Sequence, residues 1–384
     1  MVQLTDKNLD EKFINLAINL AKKNFGNSAN NPVVGCVIVI KNCIIATGIT
    51  SSLGRPHAEI VALNKVLDKS ILVDATIYVT LEPCCHFGKS PPCVDEIIKY
   101  KFKKVVICSI DPNPKVNGKS IDLLKKNGIE VVFGIKNFES QKINLDFFKS
   151  ISQKTPFISI KVATTLDSKI ASKNFDSKWI SGEDSRKYAH LLRSQHQAIL
   201  VGANTIIQDD PSLDCRIIGL ESQSPIQIVV SNNIKFSFKE KFFTKNHLIK
   251  KFLICSSEYH QDKNLKKWLE NPLNNVIFLP SQDNKIDIKM ALSKLHEYEI
   301  KSILIEGGSN LITQFIKQKL VDKIIWCRSA KIIGNDAIPA IDKLDIENIA
   351  KSINGFRRTQ FFEIEEDLVE IFSYDRDRDD EYKN

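Results

Sequence analysis

Short runs of apolar, β-branched residues alternate with helix-like segments along most of the chain. The segment Asp10–Phe25 repeats apolar side chains three and four residues apart, which is the spacing of an amphipathic helix. Two apolar runs follow, Val33–Ile40 and Cys43–Thr47, and the turn residues Lys41-Asn42 between them predict a β-hairpin. Because strands that alternate with helices pack in layers, this pattern predicts an α/β fold.

The alternation breaks at Lys154-Thr155-Pro156 and begins again with the strand-like run Phe157–Val162. It continues to a last predicted strand at Lys323–Trp326. We therefore predict two α/β domains with a boundary at about residue 150, and a length of 384 residues is sufficient for both. Residues 375–384 are almost wholly charged, and we expect them to form a disordered tail.

The composition excludes several classes of protein. Hydrophobic residues make up 43% of the chain and charged residues 26%, which is the balance of an ordinary globular protein. The net charge of +8 comes from basic residues spread along the chain, so it does not indicate a nucleic-acid partner. No apolar stretch approaches the roughly 18 residues that a membrane helix needs, and the first residues lack an apolar signal core. We expect a cytoplasmic protein that binds neither nucleic acid nor a membrane.

Eight of the nine cysteines fall into two groups. Five lie inside β-branched runs, where a small hydrophobic side chain fits a core, and we predict that these are buried: Cys36, Cys43, Cys108, Cys255 and Cys327. Cys84, Cys85 and Cys93 lie instead in a segment rich in proline and glycine, where no core needs them. In a reducing compartment such a cluster is more often metal-binding or catalytic than disulfide-bonded.

Familiar nucleotide-binding motifs are absent from the sequence. Gly88-Lys89-Ser90 and Gly118-Lys119-Ser120 end like a P-loop, but Pro83 and Asn113 stand where its first glycine belongs. None of the 15 glycines lies two residues from another, which excludes the Gly-x-Gly dinucleotide fingerprint. Any nucleotide cofactor must therefore bind in another way.

One constellation of residues predicts a catalytic metal site. His57 and Glu59 open a helix-like segment, and Pro83-Cys84 and the later Cys93 follow a strand-like run. One imidazole and two thiolates leave a fourth position on tetrahedral zinc for water, as in catalytic sites. Glu59 is suited to carry a proton without binding the metal. The order His-x-Glu, Pro-Cys and a later Cys is the signature of zinc-dependent deaminases.

A structural zinc site is the alternative interpretation of these residues. It would need a fourth protein ligand, which Cys85 or His86 could supply, although adjacent residues seldom face one metal together. In the catalytic interpretation, Cys85 packs in the interior and His86 contacts the substrate.

The segment that holds the cysteine cluster resembles one known family. From Glu82 to Cys93 it reads Glu-Pro-Cys-Cys-His-Phe-Gly-Lys-Ser-Pro-Pro-Cys. It is similar to the bifunctional deaminase/reductase family of riboflavin biosynthesis, whose two cysteines are farther apart than those of most cytidine deaminases. Further stretches that match the family are spread over both halves: Asn31-Pro32-Val33-Val34-Gly35, Asp111-Pro112-Asn113-Pro114, Lys161–Asp167, Ser177–Ile180, Asp209–Leu213 and Glu306-Gly307-Gly308.

The resemblance implies two folds and two successive reactions. Residues 1–150 would form a cytidine-deaminase-like three-layer domain, which uses one zinc ion to remove the 2-amino group of a phosphorylated diaminopyrimidinone. Residues 151–374 would form an α/β domain similar to dihydrofolate reductase, which uses NADPH to reduce the ribosyl side chain to ribityl. The substrate would be a small phosphorylated pyrimidine, and we expect a homo-oligomer.

The resemblance also assigns roles to individual residues. Zinc would be held by His57, Cys84 and Cys93, with Glu59 as the proton shuttle. The residues that would contact substrate are Asn31, His86 and Lys89 in the deaminase domain and Lys161, Ser177, Arg193, Leu213, Arg216 and Glu306 in the reductase domain. The residues that would contact NADPH are Ala163, Trp179, Thr205, Asp209, Ser231, Gly307, Gly308, Ser309, Asn310 and Leu311.

The chain's own pattern supports some of these reductase assignments. Ile303–Ser309 reads as a strand, a glycine turn and the start of a helix, where free backbone N–H groups can hold a phosphate. An ordinary strand-to-helix loop is the alternative. Arg193 and Arg216 are suited to bind a phosphate, although a single arginine is often a solvated surface residue. Trp179 fits a core position as well as a cofactor contact.

The sequence departs from the family pattern at three places. Thr50 stands where the family commonly has a histidine that faces the deaminase substrate. Ser168 replaces the glycine of a Leu-Asp-Gly turn, and we expect this turn to be strained. Gly118-Lys119-Ser120 stands where Gly-x-Gly is usual. We expect different polar contacts in the deaminase pocket and an unchanged zinc chemistry.

Two other functions are compatible with the zinc signature. A nucleobase or tRNA adenosine deaminase could be fused to an unrelated domain, but the continuous reductase resemblance and the lack of a localised basic cluster argue against it. A zinc-stabilised binding module is the second alternative, and in it Glu59 would have no purpose.

Overall fold

A computed structural model describes residues 6–24, 26, 31–88, 90–283 and 285–375. The chain forms two compact units that divide between Lys154 and Thr155, so each unit is one continuous piece. Two sequence predictions, Lys89 as a substrate contact and the charged tail beyond Asp375, fall outside the described residues. No helix in the described ranges is both long and apolar enough to cross a bilayer.

The first unit begins with a helix and then alternates strands with helices. Its elements in chain order are α1 (Asp6–Lys22), β1 (Gly35–Ile40), β2 (Cys43–Ile49), α2 (Ala58–Lys65), β3 (Thr76–Leu81), α3 (Cys93–Lys99), β4 (Lys104–Ser109), α4 (Lys119–Lys126), β5 (Glu130–Phe133), α5 (Asn137–Gln141) and α6 (Leu145–Gln153).

These strands form one sheet in the order β2-β1-β3-β4-β5. The predicted hairpin is confirmed, since β1 and β2 pair antiparallel, and β3, β4 and β5 run parallel. Successive strand residues face opposite sides, so Val37 and Val106 pack against α1, whereas Ile38 and Ile107 pack in the cluster formed with α2, α3 and α4. The predicted three-layer arrangement is therefore confirmed.

Helix α2 lies unusually close to strand β2. A Cβ atom added to Gly48 would lie only 1.9 Å from the carbonyl oxygen of Ala58, so only glycine permits this approach. This contact fixes the start of α2, and with it the neighbouring His57.

The second unit contains more strands than the sequence predicts. Its elements in chain order are β6 (Phe157–Thr164), β7 (Lys169–Ala171), α7 (Glu183–Ser194), β8 (Ala198–Gly202), α8 (Ala203–Asp209), β9 (Ile226–Val230), α9 (Lys241–Thr244), β10 (Lys251–Ser256), α10 (Lys263–Trp268), β11 (Asn274–Leu279), β12 (Ser281–Gln282), β13 (Lys285–Ile286), α11 (Ile288–Glu297), β14 (Ser302–Ile305), α12 (Ser309–Lys317), β15 (Lys323–Arg328), β16 (Ile338–Pro339), β17 (Phe356–Ile364) and β18 (Asp367–Tyr374).

The main sheet of this unit has the order β11-β10-β9-β8-β14-β6-β15-β18-β17. The first seven strands of this order, from β11 through β10, β9, β8, β14 and β6 to β15, run parallel. The pairs β15–β18 and β18–β17 are antiparallel. Apolar side chains of α11 and α12 cover one face of the sheet, and α7 and α10 contribute to clusters on the other. The parallel strands therefore end at one edge, where ligands usually bind in open α/β sheets.

Four of the five cysteines predicted to be core residues are buried: Cys36, Cys108, Cys255 and Cys327. The prediction for Cys43 is wrong, since this residue is exposed. Cys43 is the first residue of β2, directly after the hairpin turn on the edge strand of the sheet, where neither helix layer covers it.

Candidate active sites

Three side chains of the first unit meet where the sequence predicts a metal site. One ligand atom each from His57, Cys84 and Cys93 lies within 4.8 Å of the others. His57 Nδ1 is 3.6 Å from Cys84 Sγ and 3.4 Å from Cys93 Sγ. The grouped ligand atoms include neither Cys85 nor His86. Cys85 Sγ points instead at the carbonyl oxygen of Lys115, 3.5 Å away.

The ends of three elements hold this cluster in place. His57 is the extended residue before α2, Cys93 is the first residue of α3, and Cys84 follows β3. Backbone hydrogen bonds join the two cysteines: the N–H of Cys93 donates to Cys84 Sγ (3.3 Å), and the N–H of Val94 donates to the carbonyl of Cys84 (3.1 Å). These backbone hydrogen bonds therefore hold both sulfur atoms near Nδ1 of His57.

The electrostatics of the cluster suit a cation. A hydrogen bond from Cys93 lowers the pKa of Cys84 to about 4, while the same bond, with burial, raises the pKa of Cys93. The hydrogen bond with Cys84 raises the pKa of His57. The two sulfur atoms lie close together and share one proton. A divalent cation that replaces this proton lets both act as thiolate ligands and balances their negative charge. The donor set, two thiols and one imidazole, fits zinc.

Glu59 lies in the first turn of α2 and is only 3% exposed. Burial, followed by the negative charge on Cys84, raises the pKa of Glu59 to about 7. A buried carboxyl whose pKa is near neutral suits proton transfer. Glu59 is not among the grouped ligand atoms, which agrees with a role beside the metal.

A cavity of about 510 Å³ adjoins the cluster, and His57 and Cys93 are in its lining. Arg55 and Ser90 also line it, and the Arg55 guanidinium donates a hydrogen bond to the Ser90 hydroxyl. Arg55 was not among the residues predicted from the sequence. Its position directly before Pro56-His57 is the one signal that could have identified it.

Two of the predicted deaminase substrate contacts can be placed. The Asn31 side-chain amide donates to the carbonyl of Gly54 at 2.7 Å. The buried Nδ1 atom of His86 has no hydrogen-bond partner in the described part of the chain, which leaves it able to bind a ligand. Thr50 is buried, and its hydroxyl is bonded to the backbone of the segment before β1. It accepts from the N–H of Val34 (2.9 Å) and donates to the carbonyl of Pro32 (3.1 Å).

The second unit contains a nearly buried ion pair. Arg193 on α7 donates two parallel hydrogen bonds of 2.8 Å to the carboxylate of Glu306, which follows β14. The side chains are 12% and 16% exposed. Burial alone would raise the pKa of Glu306, but the charge and hydrogen bonds of Arg193, with a smaller effect of Lys161, lower it to about 2. Glu306 is therefore an anion at neutral pH, at the edge where β14 ends.

Other residues surround this ion pair. The Arg193 guanidinium also donates to the carbonyl of Asp214 at 2.9 Å, and His190 Nδ1 lies 3.0 Å from the same oxygen. His190 was not predicted as a site residue, although its spacing of three residues from Arg193 puts both on one face of a helix. Arg216 is mostly exposed. Leu213, predicted as a substrate contact, is 1% exposed and is packed in an apolar cluster.

Several residues assigned to the cofactor come together at the carboxyl edge of the sheet. Ala163 lies near the end of β6, Thr205 lies on α8 after β8, and Ser231 follows β9. Gly307, Gly308, Ser309, Asn310 and Leu311 form the turn and first residues of α12 after β14. Strands β9, β8, β14 and β6 are neighbours in the sheet, so the ends that carry these residues are adjacent.

Trp179 is 61% exposed and is not a core residue. The Arg186 guanidinium lies over its ring, 4.3 Å from the ring centre.

Ser177, half-buried, is in the loop before α7, and Asp209 ends α8. Ser168 has a φ of +62°, so the expected strained turn is confirmed.

Comparison with known proteins identifies the class of enzyme. Residues 7–109 match the family model for the cytidine and deoxycytidylate deaminase zinc-binding region, and residues 156–369 match that for the RibD C-terminal domain. The fold, the sites and these matches define a two-domain enzyme with a zinc-binding deaminase domain and a reductase domain.

Full-length relatives identify the family. The riboflavin biosynthesis protein RibD of Aquifex aeolicus is 37% identical over 366 residues, covering 95% of this chain and 99% of the relative. RibD of Bacillus amyloliquefaciens is 33% identical over 379 residues, covering 98% and 100%. The chain therefore belongs to the RibD family, the bifunctional deaminase/reductases of riboflavin biosynthesis.

Solved structures agree over both domains. Acinetobacter baumannii RibD superposes with a TM-score of 0.85 at 29% identity, covering 96% of this chain and 99% of that one. A Thermotoga maritima protein, described as a diaminohydroxyphosphoribosylaminopyrimidine deaminase/5-amino-6-(5-phosphoribosylamino)uracil reductase, gives a TM-score of 0.82 at 30% identity, covering 96% and 100%. The match to the RibD C-terminal domain also excludes a deaminase fused to an unrelated domain.

Proposed function

We propose that the deaminase domain hydrolyses the 2-amino group of 2,5-diamino-6-(5-phosphoribosylamino)pyrimidin-4(3H)-one. The reductase domain then uses NADPH to reduce the ribosyl group of the product to ribityl. The convergence of His57, Cys84 and Cys93 beside the buried Glu59 is the observation that carries the proposal. The name of the Thermotoga maritima protein supports both substrates.

In the deaminase step, this chain would hold the metal and move protons. One zinc ion per chain, bound by His57, Cys84 and Cys93, would supply the Lewis acidity that makes water nucleophilic near neutral pH. Glu59 would take the proton of the attacking water and deliver it to the leaving amino nitrogen. A carbon–oxygen bond forms at C2, the carbon–nitrogen bond breaks, and ammonia leaves.

Substrate orientation would depend on Asn31, His86 and Lys89. The unpaired Nδ1 of His86 supports a contact with a polar group of the pyrimidine. Lys89 would supply a positive charge for a phosphorylated substrate. Thr50 takes no part in this set, because its hydroxyl is engaged by the backbone of Pro32 and Val34.

In the reductase step, the chain would orient two anionic molecules, and NADPH would supply the hydride. Arg216 is exposed and suited to the substrate phosphate, and Glu306 is held as an anion able to accept hydrogen bonds from ribose hydroxyl groups. Lys161, Ser177, Arg193 and Leu213 would complete the substrate contacts.

The cofactor would lie across the carboxyl ends of the parallel strands. Gly307 to Leu311, at the start of α12, would bind its phosphate through free backbone N–H groups. Ala163, Thr205, Ser231, Asp209 and Trp179 would provide the remaining contacts. We also propose that the enzyme acts in the cytoplasm as a homo-oligomer.

The direct test is to incubate the purified protein with the diaminopyrimidinone phosphate and to follow ammonia and product mass. Without NADPH, we expect ammonia and the deaminated ribosyl product alone. With NADPH, we expect the ribityl product. A protein that contains zinc but releases no ammonia from this substrate would contradict the proposal.

A further inference from the structure

Glu82, directly before the Pro83-Cys84 turn, is a buried carboxylate, 3% exposed, that no proposed chemical step uses. Three backbone N–H groups donate to it. Its Oε2 accepts from Asp111 (3.2 Å) and Gly118 (2.9 Å), and its Oε1 accepts from Ser120 (3.1 Å). Gly118 and Ser120 belong to the start of α4, where a negative charge is favourable.

Further hydrogen bonds tie the same turn to the same part of the chain. The Ser120 hydroxyl donates to the carbonyl of Pro83 at 2.5 Å. The backbone N–H of Glu82 donates to the carbonyl of Ser109 at 2.9 Å. Together with the contact between Cys85 Sγ and the Lys115 carbonyl, these bonds attach the turn to the segment 109–120.

The turn needs this attachment because residues 82–85 belong to neither a helix nor a strand. The bonds from Cys93 and Val94 fix Cys84 relative to α3 only. His57 is carried by a different helix, α2. The bonds of Glu82 and Ser120 therefore add a second attachment of the turn, to the segment 109–120.

We propose that Glu82 is a positioning residue of the metal centre. By binding the start of α4 and Asp111, which follows β4, its carboxylate fixes the Pro83-Cys84 turn and so holds Cys84 Sγ at its distance from His57 and Cys93. Both carboxylate oxygens accept backbone N–H groups, so Glu82 acts through the turn and not on the metal. This inference rests on the ligand set in the proposed function.

The Glu82→Gln variant tests this inference in the full-length chain. Glutamine keeps the volume and one acceptor oxygen but turns an NH₂ group toward a backbone N–H, so at least one of the three bonds is lost. Losing a partner that bonds a ligand directly typically costs about 10–100-fold in metal affinity. Because Glu82 acts one step further away, through the turn, we expect zinc to bind about 10-fold more weakly. Competition with a chromophoric chelator measures this, and a changed sulfur-to-cobalt absorption in the cobalt-loaded chain reports the altered geometry.

Asp122→Asn is the matched control. Asp122 is an exposed acid in the first turn of the same helix, and we expect wild-type zinc affinity after its substitution. Ser120→Ala removes the bond to the Pro83 carbonyl while the backbone N–H to Glu82 remains, and we expect a smaller loss in the same direction. Reductase activity of each variant shows that the second unit is intact.

A folded Glu82→Gln chain with wild-type zinc affinity and an unchanged cobalt spectrum would overturn this inference and leave the ligand set standing. If that variant fails to fold, Ser120→Ala decides, and an unchanged affinity there overturns the inference. A wild-type chain that binds no zinc would overturn the ligand set as well. A role in stability alone would lower the unfolding midpoint without changing the zinc affinity of the folded chain.

Discussion

Glu59 and Glu306 are both buried carboxylates, but their surroundings shift their pKa values in opposite directions. Burial and then the charge on Cys84 raise the pKa of Glu59 to about 7. Burial acts on Glu306 too, but Arg193 outweighs it and lowers the pKa to about 2. The first group suits proton transfer, and the second suits the binding of hydrogen-bond donors.

Replacing Glu59 tests its proposed role as the proton shuttle. The amide of Glu59→Gln cannot carry a proton, so we expect deamination to fall by about 10²–10⁴-fold. Zinc content should not change, because Glu59 is outside the ligand cluster. Ammonia release measures the loss, and NADPH-dependent reduction of supplied deaminated substrate is the internal control. Near-normal deamination would contradict the assignment.

The stability of the second unit should depend on His196. Its Nδ1 lies 2.7 Å from the carbonyl of Leu192 and its Nε2 lies 2.9 Å from the hydroxyl of Ser159. Burial lowers the pKa of His196 from 6.5 to about 4. The unfolded chain therefore binds a proton at His196 at a higher pH than the folded chain does. The folded state has its full stability with respect to this group above pH 6.5, and it loses stability as the pH falls to 4. The loss is about 3 kcal/mol.

Tryptophan fluorescence can measure this effect, because all three tryptophans, Trp179, Trp268 and Trp326, lie in the second unit. We expect the free energy of unfolding of a His196→Gln variant to fall less between pH 6.5 and 4 than that of the wild type. The exposed His260 is the control, and His260→Gln should follow the wild-type curve. Parallel curves for His196→Gln and wild type would contradict this prediction.

Local patterns made some residues predictable, whereas long-range pairs could not be predicted. The proposed metal ligands share a recognisable motif. The Arg193–Glu306 pair joins positions 113 residues apart, and the bonds of Glu82 reach residues 29 to 38 positions away. No local signal indicates that such residues will meet, because only the packed sheets bring them together.

Helices and strands show the same difference between local patterns, which are predictable, and features without a local signal, which are not. The β1–β2 hairpin is set by two apolar runs and the turn between them, so it could be predicted. Strands β17 and β18 were not predicted. Most residues of β17 are exposed, and no clear apolar alternation marks this edge strand. The strand-to-helix turn from β14 to α12 was visible, because its two glycines interrupt two regular patterns.

The start of α12 allows a test of cofactor binding by charge. A Cβ atom at Gly308 meets nothing within 4 Å, and its φ of −70° suits any residue. Aspartate and asparagine there both favour the helix start, but only aspartate repels a phosphate. We expect Gly308→Asp to bind NADPH roughly tenfold more weakly than Gly308→Asn, a difference of about 1.4 kcal/mol. Equal dissociation constants for the two variants would contradict a phosphate at this helix end.

At the scale of the whole molecule, each unit contains the residues proposed for its own reaction. The proposed zinc ligands and Glu59 all precede Lys154, and the Arg193–Glu306 pair and the α12 turn follow it. Since each piece is long enough to bury its own core, the two reactions should be separable.

A fragment that begins at Thr155 tests this separation. We expect it to fold, to bind NADPH in preference to NADH, and to reduce deaminated substrate even with a metal chelator present. Cofactor fluorescence and product mass provide the measurements, and the full-length chain with the same chelator is the control. A soluble, folded fragment that binds no NADPH would contradict the assignment of the second site.

The continuous first unit has a consequence for how the protein is made. Every residue of Met1–Lys154 is synthesised before Thr155 is added. At about 5–20 residues per second, a ribosome needs roughly 10–50 s to complete residues 155–384. During that interval the emerging deaminase unit can fold and take up its metal while the reductase half is still being translated. A ribosome that stalls late in the message therefore carries a nascent chain that already contains every residue of the proposed metal centre.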